Sequence, residues 1–164
     1  MWRCPKCGRR FANANQWHSC AVQTLDYHFA GKAPRLRRLY RRLLTLARRL
    51  GPVTVVPQKG KIALYGRVTF AGVRVERGAL RVGLMLSRRL TQPEQRQTAA
   101  HCVSITSYLP NRHGHSFRIH AARDFDAGFL ELLAEAYALG RQAGRRPRTD
   151  RGATRRRRES TPQV

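Results

Sequence analysis

The chain has 164 residues, 41% of them hydrophobic, which is enough for one modest globular domain with short additions at its ends. No apolar segment approaches the length that crosses a bilayer, and the first ten residues lack the apolar run of a secretory signal. We therefore expect a cytoplasmic protein with reduced thiols.

The formal charge is +24, from 33 basic and 9 acidic residues, and it is spread along the chain. Residues 1–20 carry +4, residues 21–143 carry +14 and residues 144–164 carry +6. Such an excess favours a polyanionic partner, with nucleic acid as the first choice and an anionic membrane surface as the alternative. All but four of the basic residues are Arg, so codon usage in a GC-rich genome is a competing explanation.

The first predicted element is a metal-binding knuckle within residues 1–20. Cys4 and Cys7 form a C-x-x-C pair followed by Gly8, and His18 and Cys20 complete the set ten residues later. A two-residue gap lets one tight turn direct both thiolates at one ion, and residues two apart in an extended segment project from the same face. The spacing predicts a closed, tetrahedral and structural Zn²⁺ site with the ligands Cys4, Cys7, His18 and Cys20.

Two other interpretations of these cysteines are weaker. A redox C-x-x-C pair usually starts a helix after a strand, and a disulfide would leave one thiol over. We expect the flanking aromatic residues Trp2, Phe11 and Trp17 to form a small apolar cap on the knuckle.

An amphipathic helix is predicted from Arg35 to Leu50, with Pro34 in its first turn and Gly51 and Pro52 at its end. The face opposite its leucines carries seven arginines, here called the arginine strip: Arg35, Arg37, Arg38, Arg41, Arg42, Arg48 and Arg49. Because the helix contains no acidic residue, the strip lacks i, i+4 partners and would gain from phosphate contacts.

The middle of the chain has a period of two, which predicts an antiparallel meander of four to six strands. The strands are read from "TVVP", "KIALYG", "RVTFAGVRVE", "ALRVGLMLS", "HCVSITSYL" and "HSFRIHAA". A second helix is predicted to begin near Asp124 or Asp126 and to stop near Gly140 or Gly144. Residues 144–164 have almost nothing to bury and are expected to form a disordered basic tail.

Several stretches resemble a bacterial domain-of-unknown-function family, the one numbered five-six-five-five, in its form with a zinc knuckle. The resemblance covers residues 2–143 and rests on "WRCPKCGRRFANANQWHSC", "DYHFAGK", "GPVTVVPQKGKIAL", "RVTFAGV", "LSRRL", "HGHSFRI" and "AEAYALGRQ". It implies an N-terminal knuckle and a small α+β domain, and no particular activity. Where the family often has His-x-His-His-Phe-Arg, this chain has Ser116 in place of the third histidine.

The last two predicted strands carry four histidines, His101, His113, His115 and His120. A His pair beside a cation can act as acid and base on a phosphodiester or bind an anion, which makes His113, His115 and Arg118 a possible ligand site. No nucleophile or carboxylate pair accompanies them, so we assign no catalytic residue and expect these histidines to be exposed polar residues.

The sequence therefore predicts an α+β protein with the order knuckle, helix, sheet, helix and tail, divided at residues 1–20, 21–143 and 144–164. Its predicted role is non-enzymatic and associated with nucleic acid, without sequence preference, through the arginine strip and the tail residues Arg155, Arg156, Arg157 and Arg158. The alternatives are a small-ligand or protein-interaction module, and a hydrolase that uses the late histidines.

Overall fold

A computed structural model describes residues 2–11, 14–18, 20 and 23–141. The predicted tail, with Arg155 to Arg158, lies outside the described residues. The chain begins with two short antiparallel strands, β1 (Trp2–Arg3) and β2 (Arg10–Phe11), which pair Trp2 with Phe11. We call residues 2–20 the Cys/His segment and residues 23–141 the α+β unit.

Two helices open the α+β unit. Helix α1 (Leu25–Phe29) begins where the Thr24 hydroxyl accepts a hydrogen bond from the Tyr27 amide. Helix α2 (Pro34–Arg49) confirms the predicted amphipathic helix to within one residue at each end. Its apolar face is buried through the residues Leu36, Leu39, Tyr40, Leu43 and Ala47.

Six antiparallel strands form the sheet: β3 (Thr54–Pro57), β4 (Ile62–Tyr65), β5 (Thr69–Val75), β6 (Leu80–Leu86), β7 (His101–Leu109) and β8 (Arg112–Ile119). Their spatial order is β3-β4-β5-β6-β8-β7. The prediction of a meander is therefore correct from β3 to β6 and wrong beyond it, because β8 pairs with β6 and leaves β7 at the edge. Strand β8 also begins three residues before the predicted "HSFRIHAA".

The strand pairing has three irregularities, each with one extra residue on one strand. Between β4 and β5, Leu64 pairs with Ala71 and Tyr65 with Thr69, which leaves Phe70 as the extra residue of a bulge. Phe70 and Ala71 are both buried, as a bulge allows and regular alternation does not. Strand β7 has two similar irregularities, at Val103 and Tyr108.

The connections after β6 and β8 are partly helical. Helix α3 (Gln92–Arg96), which the sequence analysis did not predict, lies in the β6–β7 connection, and a 3-10 helix (Ala122–Asp124) precedes α4 (Ala127–Arg141). Asp126, one of the two predicted caps, accepts a hydrogen bond from the Phe129 amide at 2.8 Å. Gly140 lies in the last turn of α4, where a Cβ would stand 2.6 Å from the Cβ of Phe70, so it permits close packing there.

Helices α2 and α4 pack on the same face of the sheet as the core residues of β5, β6 and β8. The largest fully buried side chains include Phe70, Phe117 and Phe129. On the opposite face, which we call the open face, most side chains of β6, β7 and β8 remain half-buried or exposed. None of the helices in the described ranges has the length and apolarity needed to cross a bilayer.

Candidate metal centre and basic surfaces

The backbone of the Cys/His segment turns tightly between its first two cysteines. The Gly8 amide donates to the Cys4 carbonyl and the Cys4 amide donates to the Arg9 carbonyl, both at 2.8 Å. Gly8 has a φ of 70°, a conformation that favours glycine over any residue with a Cβ. The turn places the Cys4 and Cys7 side chains on one side, as the C-x-x-C spacing predicts.

The four predicted ligands converge on one point. Their ligand atoms all lie within 4.8 Å of one another. The Sγ atoms of Cys4 and Cys20 are 3.7 Å apart, and His18 Nε2 lies 3.3 Å from Cys7 Sγ and 3.5 Å from Cys20 Sγ. A tetrahedral ion with bonds of about 2.3 Å to sulfur would space two thiolates about 3.8 Å apart. These four side chains are thus positioned to bind one metal ion.

The orientation of the His18 ring is fixed from two sides. Its Nδ1 donates a hydrogen bond of 2.6 Å to the Gln16 carbonyl, which leaves Nε2 as the atom directed at the thiolates. The Phe11 ring packs on the imidazole with centroids 4.2 Å apart, and the Trp2 ring lies 5.8 Å from Phe11. The prediction that Trp17 joins this cap is wrong, because Trp17 is 92% exposed.

Backbone amides near the cluster favour the ionised thiolates that a metal needs. A hydrogen bond from the Arg9 amide is the largest influence on Cys7 and lowers the pKa of its thiol to about 6, although burial opposes it. Burial also opposes ionisation of Cys4, but hydrogen bonds from the Cys7 and Lys6 amides outweigh it and lower its pKa. The pKa of Cys20 is raised, first by burial and then by the neighbouring thiols.

The arginine strip divides into two groups. Arg35 donates to the carbonyls of His120 and Gly78, at 2.9 and 2.8 Å, and so joins α2 to the ends of two strands. Arg37 pairs with Asp26, and its guanidinium carbon lies 5.2 Å from the centre of the Phe29 ring. The other five are exposed and make no ion pair with any carboxylate in the described ranges: Arg38, Arg41, Arg42, Arg48 and Arg49.

The late histidines do not form an open cluster. His101 and His120 are exposed, as expected, but the expectation is wrong for His113 and His115, whose rings are buried. His115 Nε2 accepts from the Leu90 amide at 3.0 Å, and its Nδ1 donates to the His113 carbonyl at 3.2 Å. Both nitrogens of this ring are therefore used, and burial lowers its pKa.

His113 is similarly engaged. Its Nε2 donates to the Pro110 carbonyl at 3.1 Å, and its Nδ1 lies 2.8 Å from the Ser107 hydroxyl, which accepts from Arg89. Arg118 projects from the opposite face of β8 and pairs with Glu76 at 3.1 Å. The structure therefore does not bring the predicted ligand residues His113, His115 and Arg118 together.

The open face of the sheet has a shallow trough that was not predicted from the sequence. The outward positions of β5, β6 and β8 carry Gly72, Gly83, Gly114 and Ser116, whereas most inward positions are large and apolar. The alternation of small and large residues within each strand can be read from the sequence. That the small residues are neighbours across the sheet follows only from the strand order.

Most of this chain matches a described protein family. The family described as "Domain of unknown function (DUF5655)" matches residues 25–140, which include every helix and sheet strand of the α+β unit except Arg141, the last residue of α4. No curated protein and no solved structure matches the chain. The match covers well over half of the sequence and agrees with the resemblance of the motifs, and the chain is accordingly a member of the DUF5655 family.

Proposed function

We propose that the Cys/His segment holds a structural Zn²⁺ and that the protein associates with nucleic acid through phosphate contacts, without catalysis. Three thiolates and one imidazole are the donor set that Zn²⁺ prefers in closed sites, and their spacing suits a tetrahedron. With all four positions taken by protein atoms, no position remains for substrate or activated water. The metal would therefore fold the segment and supply no chemistry.

The observation that supports nucleic-acid association is the set of five exposed arginines on α2. They project from one face of a rigid helix and have no carboxylate partner in the described part of the chain. Five like charges within about three turns of helix repel one another, and phosphates would relieve that repulsion. Because phosphates carry no sequence information, this binding would discriminate little among sequences.

The test is the salt dependence of binding to a short labelled DNA duplex. The variant carries Arg38→Gln, Arg41→Gln, Arg42→Gln and Arg49→Gln, and it leaves Arg37 with its Asp26 partner. The charge-matched control carries Gln at four exposed arginines elsewhere: Arg67, Arg77, Arg96 and Arg123.

The slope of log K against log salt should become shallower by about 0.9 for each phosphate that the α2 variant no longer neutralises, and by less in the control. Equal slopes for wild type and both variants would contradict the role of α2. Absence of binding by the wild type at moderate salt would overturn nucleic-acid association altogether.

The hydrolase alternative receives no support from the late histidines. A general base needs a ring nitrogen within reach of substrate, and the nitrogens of His113 and His115 hydrogen bond to protein groups. A hydrolytic activity that survives purification and disappears in His113→Ala or His115→Ala would reverse this conclusion.

A further inference from the structure

The open face of the sheet carries a row of small residues that crosses four strands. Gly72 pairs with Gly83, Gly83 with Ser116, and Ser116 with Ser104, so these residues are neighbours across β5, β6, β8 and β7. A Cβ on Gly83 would meet nothing closer than a carbonyl oxygen 3.7 Å away. The backbone at the centre of this row is therefore accessible and forms the floor of the trough, whose volume is about 240 Å³.

Longer side chains border this floor at two positions. The stem of Lys61 lies over Gly72, where a Cβ would be 3.2 Å from the Lys61 Cδ. The Tyr108 ring lies over Gly114, where a Cβ would be 3.0 Å from the Tyr108 Cε2. Tyr108 is the extra residue of the second β7 irregularity, which turns its ring onto the face while leaving the side chain 64% exposed.

A row of cations runs beside the floor. Arg74 pairs in register with Arg81, and Arg81 with Arg118, on the same face as the glycines. Glu76 lies between the last two, 2.8 Å from Arg81 Nε and 3.1 Å from Arg118 Nε. Within the described ranges, the side chains of Arg74 and Lys61 have no hydrogen-bond or ion-pair partner. The trough therefore keeps a positive excess.

The charge and the shape of the trough indicate which kind of ligand it can bind. The chain's own residues 144–164 carry +6, so they would be repelled. The volume is below the range of about 300–1,000 Å³ that encloses a typical small ligand, and the trough is open along the face. The ligand that fits this surface is a polyanion with unpaired bases. Its bases can stack on the exposed tyrosine, and its phosphates can contact the unpaired cations beside the glycine floor.

We propose that the open face binds single-stranded nucleic acid, with one base stacked on Tyr108 and adjacent phosphates on Arg74 and Lys61. This inference rests on the proposed association with nucleic acid and adds a substrate class and a second surface. The arginine strip lies on the helix side of the sheet, so contacts at the trough and contacts at α2 are separable by mutation.

The experiment compares a short labelled oligothymidylate with a short labelled duplex, using the full chain. Tyr108→Leu removes the stacking ring, and Gly83→Val fills the floor with a residue that suits a strand. A third test variant, Arg74→Gln, removes an unpaired cation. The matched control for Tyr108→Leu is Tyr27→Leu, at an exposed tyrosine on α1, and the control for Arg74→Gln is Arg77→Gln in the same hairpin. Circular dichroism and thermal unfolding verify that each variant folds, and Arg74→Gln remains informative if Gly83→Val does not.

We expect Tyr108→Leu to weaken oligothymidylate binding about five- to one-hundred-fold, in line with the loss of one stacked base, with little effect on the duplex. Gly83→Val and Arg74→Gln should weaken the same probe, and both controls should bind as wild type does. Thymidine monophosphate should not displace the oligonucleotide at comparable concentration, because one nucleotide lacks the neighbouring phosphates.

Three results would overturn this inference. If Tyr108→Leu and Gly83→Val bind oligothymidylate as wild type does while the α2 variant loses duplex affinity, the trough is not a binding site and the proposed function stands. If thymidine monophosphate competes as well as the oligonucleotide, the ligand is a free nucleotide rather than a strand. If wild type binds neither probe, this inference and the proposed function both fail.

Discussion

In the Cys/His segment, the regular structure among the described residues is a hairpin of two residues per strand, and Cys4 is the one buried side chain there. The α+β unit has a six-stranded sheet whose helix-covered face buries three phenylalanines completely, Phe70, Phe117 and Phe129. Such a short hairpin is not stable alone in water, whereas a sheet packed on helices is. We therefore expect the first region to depend on a bound metal for its fold and the second to depend on apolar burial.

The same contrast explains how each region relates to the sequence. Four ligands must meet at one point, so the spacing of the ligand types already specifies the site. In a sheet, the pattern of burial along the sequence specifies each strand, but which strands are neighbours depends on contacts between residues distant in sequence. Perturbing the metal and perturbing the core should consequently affect different parts of the molecule.

The largest expected effect comes from chelating the metal. Structural zinc contributes about 10–16 kcal/mol to the folding of such peptides, so the Cys/His segment should unfold without it. The chain has only two tryptophans, Trp2 and Trp17, and both lie in this segment, so tryptophan emission reports on it alone. Chelation should shift the emission to the red. The thermal unfolding transition of the α+β unit, measured by circular dichroism, should still be observed.

Matched cysteine variants sharpen this test. Cys20→Ser removes a ligand and should lower metal content and reproduce the red shift. Cys102→Ser changes a half-buried thiol of β7 outside the cluster and should leave one metal ion per chain. If chelation also abolishes the unfolding transition of the sheet, the division between residues 1–20 and 21–143 is wrong.

The core variant Phe129→Ala should have the converse effect. Phe129 on α4 packs edge-on against Phe117, with ring centroids 5.6 Å apart, and contacts Phe125 at 5.5 Å. Removing a buried phenylalanine costs about 3–5 kcal/mol of unfolding free energy through reduced burial and the remaining cavity. Denaturant unfolding should report this decrease, and metal content should stay at the wild-type value. Tyr27→Ala, at an exposed aromatic, should change stability by no more than about 0.5 kcal/mol.

Local patterns in the sequence were sufficient for most elements. The leucine period of α2 predicts its ends within one residue, and "HCVSITSYL" coincides with β7. The convergence of Cys4, Cys7, His18 and Cys20 on one point was also predictable, because it follows from their spacing and their side-chain chemistry. These are features in which each residue's role depends on neighbours close in the chain.

The remainder depended on distant partners. The pairing of β8 with β6 is a contact between separate strands, and no local pattern encodes it. Arg37 looked unpaired because its partner, Asp26, belongs to α1. The burial of His115 was predictable in principle, since it alternates with Phe117 and Ile119 on one face of β8. His115 was expected to be exposed because histidine is polar, although its position in the alternation places it on the buried face.

Acidification should produce a smaller effect on the α+β unit through His115. Burial holds the pKa of this histidine below its usual value, so the unfolded chain binds a proton near pH 6.5 that the folded chain does not. Stability should be fully present above that pH and decline below it, by at most about 1.4 kcal/mol per pH unit for one group. His115→Gln, which retains an acceptor near Nε2, should flatten the decline measured by denaturant unfolding from pH 7 to pH 5.

The control for this pH dependence is His120→Gln, at an exposed histidine. It should retain the wild-type slope, because the His120 side chain lies on the surface and is not packed in the core. An unchanged slope in His115→Gln would show that other groups cause the acid sensitivity.

The smallest expected effect concerns the ion pairs of Arg88, which join the end of β6 to α3 and α4. Arg88 contacts Glu135 at 3.1 Å and Glu94 at 2.5 Å, and all three side chains are roughly one third or more exposed. Solvent screening therefore limits each pair to about 0.2–1 kcal/mol. A double-mutant cycle with Arg88→Gln and Glu135→Gln should give a coupling energy in that range, and added salt should reduce it. A coupling above about 2 kcal/mol, insensitive to salt, would mean that polar contacts rival the core in holding α4 on the sheet.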